Sequence, residues 1–198
     1  MREEILRYLG YKNNDCDNEI ANLIDDCLKE LDKISSFSYV YLKSKEAYDF
    51  LNKKDYINLL EGSNEFILCA TTLGYEVDKK IKYYLATNKL RALVLDACAS
   101  VYLVNKADEF EKQEFDEERT FRFCPGYENT PLSDNKIILE LLKDLKPRVS
   151  TLDSLMLSPN KSMVGIIGLG VKKEKNCGTC MFNNRCSFRK ENKLCFKK

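Results

Sequence analysis

The 198-residue chain contains no histidine. That absence removes His-based acid/base catalysis, Cys-His dyads and His-ligated zinc, so any metal bound here must be held by sulfur or oxygen. Nor is there an apolar run near the roughly 18 residues that a bilayer-crossing helix needs. The opening MREEILRYLGYK lacks the apolar stretch and small-residue cleavage site of a secretory signal. A cytoplasmic protein without membrane attachment is expected. No glycine-rich nucleotide fingerprint follows any predicted strand, so the usual methyltransferase fold is not indicated. Internal repeats and low-complexity segments are also missing.

What is abundant is cysteine, nine residues in all. An odd number fits oxidative pairing poorly, and a chain of this size can bury a core without staples; in a reducing compartment the thiols imply burial, metal binding or reactivity. Charge is balanced overall, with 32 Lys+Arg against 31 Asp+Glu, but it is unevenly distributed. Nine Lys and Arg stand against two Glu from position 171 to the end, a local charge of +7, which leaves −6 on residues 1–170. An acidic body (1–170) with a basic, cysteine-bearing tail (171–198) is the expected organisation. In that tail Cys177, Cys180, Cys186 and Cys195 form C-x2-C-x5-C-x8-C. Four thiolates at such spacing suit a tetrahedral zinc site, and equally an iron-sulfur cluster; the pattern leaves the two open. Phe182, Phe188 and Phe196 lie among the tail's Lys and Arg, so a metal-stapled nucleic-acid-binding module is an alternative, although the acidic body argues against that as the main role. A purely structural partner module is another.

Along the body, Ile20, Leu23, Ile24, Cys27, Leu28, Leu31 and Ile34 recur at three- and four-residue steps, which predicts an amphipathic helix over DNEIANLIDDCLKELDKI with Cys27 on its buried face. FSYVYL reads as a strand, followed by a polar, lysine-rich stretch. EFILCATTLG is a second strand and YEVDKKIKYYLAT a helix. The segment from 89 to about 115 has no wide polar face and should be the central buried helix. Ser133 is a candidate N-cap for a helix over DNKIILELLKDL, stopped before Pro147. STLDSLMLSPNKSMVGIIGLG reads as strand, turn at Pro159, strand. Cys69 and Cys98 lie in apolar contexts and should be buried. The fold class is α+β, with helices packed on a mostly antiparallel sheet and a small cysteine-rich metal-binding tail.

One loop stands apart: RFCPGYENTPLSD, residues 122–134. A strand should run into it. Arg122 offers a two-pronged cation for a carboxylate or phosphate. Pro125-Gly126 sets a tight turn whose backbone groups can face a ligand, and Tyr127 adds a ring for stacking. This loop, together with LDSLMLSPNKSMVGIIGLG, resembles the paired signature of the activation domain of cobalamin-dependent methionine synthase: Arg-x-x-Pro-Gly-Tyr, then Ser-x-Met-x-x-Pro-x-x-Ser. LGYKNN and ILCATTLGYEVDKKI are similar to free-standing bacterial versions of that domain, and the likeness spans most of residues 1–170.

The resemblance implies an S-adenosylmethionine-binding protein. In the family, the domain presents that methyl donor to the cobalt of inactivated methionine synthase while a flavodoxin-like protein supplies one electron. Arg122 would bind the methionine carboxylate, the backbone around Cys124, Pro125 and Gly126 the adenosine, and Tyr127 would face the corrin. Acidic residues near the loop, namely Asp116, Glu117, Glu118 and Glu128, are candidates for favouring the sulfonium cation. The sequence departs from the family pattern at Cys124, where a small Ala or Ser is common, and at Val104, near which an acidic residue is expected in the buried helix. It also carries the cysteine tail. Cobalamin would come only with a methionine synthase or related corrinoid partner served in trans, since the chain has neither the Asp-x-His-x-x-Gly motif nor a histidine. The protein would be an accessory component and not a complete catalyst alone.

Overall fold

A computed structural model describes residues 1–11, 16–46, 48–127, 130–174, 177 and 189. Four helices build one side of the molecule: α1 (Arg2–Tyr8), α2 (Asn18–Ile34), α4 (Tyr75–Thr87) and α5 (Lys89–Glu114). Between α2 and α4 come strand β1 (Ser38–Ser44), a 3₁₀ turn (Asp49–Asn52), helix α3 (Lys54–Leu60) and strand β2 (Glu65–Thr72). After α5 follow α6 (Asp134–Leu141), the short strands β3 (Ser150–Thr151) and β4 (Leu157–Ser158), and β5 (Ser162–Leu169). Among the described residues no helix is long and apolar enough to cross a membrane.

The α2 periodicity is realised as read. Asp17 caps the helix by accepting from the Ile20 amide at 2.8 Å, and Ile20, Ile24, Cys27 and Leu31 are buried. α5 is apolar on nearly every side because it is covered on nearly every side: Ala92, Val94, Leu95, Ala97, Cys98, Ala99, Val101, Tyr102 and Leu103 are all buried, most of them in one cluster with α1, α2 and α4.

The main sheet has the order β1-β2-β5, antiparallel throughout. Its two faces follow from the period of two. Leu68, Ala70, Val164 and Ile166 face α3 and α6, where they join Tyr56, Leu59, Leu60, Ile138 and Leu142. Ile67, Cys69, Ile167 and Leu169 face the other way, with Tyr39, Tyr41 and Phe115. The C-terminal half of α5 lies on this second face, stacking Phe110 on Tyr39 at a 4.4 Å ring separation.

Several local readings are corrected. The residues leading into the Pro-Gly loop form no regular strand. They run along the free edge of β5 through isolated bridges, Arg119 with Leu169 and Phe123 with Ile166. The span before Pro159 is not one strand but the small β3-β4 hairpin, and only β5 joins the main sheet. Ser133 precedes α6 but makes no side-chain cap bond, and α6 ends at Leu141, with a 3₁₀ turn at Lys143–Leu145 covering the rest of the predicted helix. The lysine-rich stretch after β1 contains α3, whose Tyr56, Leu59 and Leu60 are buried; its seven residues are too few for a periodic signal to stand out. Beyond β5 the chain turns back, with the Phe121 amide donating to the Lys173 carbonyl and Lys173 Nζ to the Asn58 carbonyl.

Candidate functional site

The site forms where the edge of β5 meets the loop that follows α5. Phe123 exchanges both backbone hydrogen bonds with Ile166, at 2.9 and 2.8 Å, and so fixes Arg122 and Cys124 beside the sheet. Arg122 then crosses the sheet surface over Gly165. A Cβ built on Gly165 would sit 2.6 Å from Arg122 Cγ, so the glycine is what leaves room for the arginine stem.

The guanidinium ends between two carboxylates of α5. Nη1 donates to Glu111 Oε1, and Nη2 donates to Asp108 Oδ1 at 2.9 Å. The Arg122 and Glu111 side chains are only 6% and 7% exposed, whereas Asp108 is 52% exposed. Tyr39 closes the network from β1, its hydroxyl donating to the same Glu111 oxygen at 2.8 Å. Burial works against the charge on Arg122, yet Glu111, with Asp108 as a further contributor, holds its pKa above the ordinary arginine value. Burial raises the Tyr39 phenol well above its usual range and pushes the adjacent Cys69 thiol up to about 12.

The turn at residues 124–127 has Pro at its second and Gly at its third position. Gly126 sits at φ +91, and the Tyr127 amide donates to the Cys124 carbonyl at 3.3 Å, a type II arrangement. The Gly126 amide donates to both the carbonyl and the hydroxyl of Thr130, at 3.1 and 3.2 Å, and the Thr130 hydroxyl donates to the Tyr127 carbonyl at 2.6 Å. The expected backbone amides of Gly126 and Tyr127 are therefore consumed inside the turn. Pro125 is buried, Cys124 half-buried, and Tyr127 is exposed, with its ring 6.4 Å from that of Phe123.

The structure thus brings Arg122, Cys124, Pro125, Gly126 and Tyr127 together, but it supplies different acids from those expected. Glu117 pairs with Lys43 at 2.6 Å, which lowers its pKa. Glu118 lies at the Gly170 end of β5, where its carbonyl accepts from the Gly170 amide; Asp116 is exposed, and Glu128 lies outside the described residues. The acids at Arg122 are Asp108 and Glu111. α5 has a buried carboxylate at Glu111, seven residues beyond Val104, near which the expected acidic residue is missing. The i,i+3 spacing of Asp108 and Glu111 on the last polar turns of an otherwise apolar helix was the available signal. Of the four tail cysteines, Cys177 is half-buried and Cys180, Cys186 and Cys195 lie outside the described residues; among the described residues no cluster of three or more potential ligands is placed to hold a metal. Cys27, Cys69 and Cys98 are buried as expected.

No protein-family profile matches the chain, and no curated protein matches it either. Among solved structures, the crystal structure of the MetH reactivation domain bound to AdoHcy aligns with 98% of this chain and 81% of its own, at a TM-score of 0.59 and 13% sequence identity. The chain has the MetH reactivation-domain fold. At that identity the relationship is one of fold: helices on a three-stranded antiparallel sheet.

Proposed function

We propose that this protein binds S-adenosylmethionine and supports, in trans, the reductive methylation of the cobalamin of a methionine synthase or related corrinoid protein. The observation that carries the reading is the coincidence of two things: the reactivation-domain fold over nearly the whole chain, from a structure holding S-adenosylhomocysteine, and an arginine followed by a Pro-Gly-Tyr turn on one edge of that fold. In this reading Arg122 takes the ligand's carboxylate. Asp108, half-exposed, is the partner that carboxylate replaces, because it is the one of the two acids at Arg122 that solvent reaches. Glu111 stays buried against Tyr39 and supplies the negative charge that favours the sulfonium over the uncharged thioether of S-adenosylhomocysteine. Cys124, Pro125 and Gly126 shape the adenosine side through the turn's carbonyls and packing, since its Gly126 and Tyr127 amides are taken. Tyr127 presents its exposed ring to the partner's corrin.

Cobalamin would come with the partner; the methyl group of the ligand held by this chain would pass to the partner's cobalt as a flavodoxin-like protein supplies one electron, leaving S-adenosylhomocysteine. This chain would hold the methyl donor, and it has no histidine with which to ligate cobalt. Cys177, Cys180, Cys186 and Cys195 would hold zinc or an iron-sulfur cluster, and the basic tail around them would dock an acidic electron donor.

Calorimetric titration with S-adenosylmethionine tests the reading. Arg122→Lys keeps a cation for Glu111 but loses the fork, so it should weaken binding at least about tenfold while the protein stays folded. No binding by the native protein, or equal binding by the lysine variant, overturns the assignment. Visible absorbance and metal analysis of the purified protein separate a cluster from zinc in the tail.

A further inference from the structure

Asp134 opens α6 and is fully buried, its side chain 1% exposed. A carboxylate there needs partners, and it finds them on another element. Lys53 Nζ donates to both of its oxygens, at 2.5 and 2.7 Å, and the hydroxyl of the fully buried Tyr56 donates to Oδ2 at 2.9 Å. Lys53 is 40% exposed, so the cluster has one wet end and one dry end. The dry end abuts the Pro-Gly turn. The Tyr56 ring meets Phe123 edge-on at 5.7 Å, and the Phe123 ring lies 6.4 Å from that of Tyr127. Thr130 holds the Gly126 amide and the Tyr127 carbonyl. Lys53 and Asp134 therefore fix Tyr56, whose ring packs through Phe123 against the turn, while Thr130, four residues before Asp134, braces the turn from within.

The loop is tied down at two points. Upstream, Phe123 is bonded to β5; downstream, the descent into α6 depends on Asp134. Asp134 is not acting as a cap. It is the first helical residue, and its carboxylate points across to α3 and not to the amides of its own helix. Buried charge at this point is better explained by fixing one loop conformation than by stability, because an apolar set of the same shape would serve stability as well.

We propose that Asp134, held by Lys53 and Tyr56, is the positioning residue of the turn at residues 124–127, setting where Tyr127 and the adenosine side of the pocket stand. The ligand part of this statement rests on the function proposed above; the positioning part does not.

The experiment is amide hydrogen exchange by NMR on the full-length protein, with Asp134→Asn, Lys53→Met and the milder Tyr56→Phe, each paired with calorimetry against S-adenosylmethionine. The expected result is a selective, at least about tenfold loss of protection at Gly126 and Tyr127, with Phe123 and Ile166 unchanged, and a parallel weakening of ligand binding in Tyr56→Phe. Uniform loss at all four amides means the cluster is only structural and overturns the proposal, as does unchanged protection at Gly126. Should Asp134→Asn fail to fold, Tyr56→Phe decides alone. If the native protein binds no S-adenosylmethionine, the functional reading fails, while the exchange pattern still decides the positioning claim.

Discussion

Replacing Arg122 by methionine removes one half of a desolvated ion pair and leaves the other behind. Glu111 would remain buried, still accepting from the Tyr39 hydroxyl but without its cation. Breaking a buried pair in this way costs about 3–5 kcal/mol, most of it the penalty of the stranded charge. For a chain of this length that corresponds to a fall in Tm of roughly 6–20 °C. Removing Asp108 is different in kind. Its side chain is 52% exposed and can be solvated without Arg122, so Asp108→Asn should cost clearly less than Arg122→Met. The double variant Arg122→Met/Glu111→Met takes both charges away together, and its loss should be smaller than that of Arg122→Met alone. Urea unfolding followed by circular dichroism, on Arg122→Met, Glu111→Met and the double variant, gives the coupling between the two sites, expected at about 2 kcal/mol or more. A single-variant loss under about 1 kcal/mol, or losses that simply add, would refute the claim that this pair is dry and interdependent.

Removing the internal competitor should help the ligand: Asp108→Asn is expected to tighten S-adenosylmethionine binding by up to about fivefold in calorimetry, the equivalent of about 1 kcal/mol. Glu111→Gln should instead narrow the preference for S-adenosylmethionine over S-adenosylhomocysteine, read as the ratio of the two dissociation constants. Gly126→Ala places a side chain at φ +91 and a Cβ 2.6 Å from Leu132 Cδ2, so it should lower stability by roughly 1–3 kcal/mol; adding Leu132→Ala restores only the steric part. Cys69 carries a pH signature. Its thiol stays protonated in the native state up to about 12, while the unfolded chain releases that proton near 9. Between those values the native state binds more protons, so stability falls as pH rises, by at most about 1.4 kcal/mol per pH unit from this group. The urea midpoint of Cys69→Ala should decline less steeply than that of the native protein between pH 9 and 10, and parallel slopes would contradict the assignment.

Residue spacing by itself determined α2, α4 and α5. In the first two, apolar positions recur with the helical period, and in α5 the absence of a polar face already implies burial on all sides. Burial of Cys27, Cys69 and Cys98 followed from the same apolar contexts. The loop was legible too, because Pro125-Gly126 encodes its own turn and Arg122 and Tyr127 are fixed to it by covalent adjacency. What only the tertiary structure decided is who meets that loop. Glu111 and Asp108 are 11 and 14 residues from Arg122, and Tyr39 is 72 from Glu111. Lys53 and Tyr56 are 81 and 78 residues from Asp134, which read locally as an ordinary helix start. Such pairings depend on register across β1-β2-β5 and on how α5 crosses the sheet. No local periodicity records either one, because partners distant in the chain are selected by packing and by the cost of leaving a buried charge unmatched.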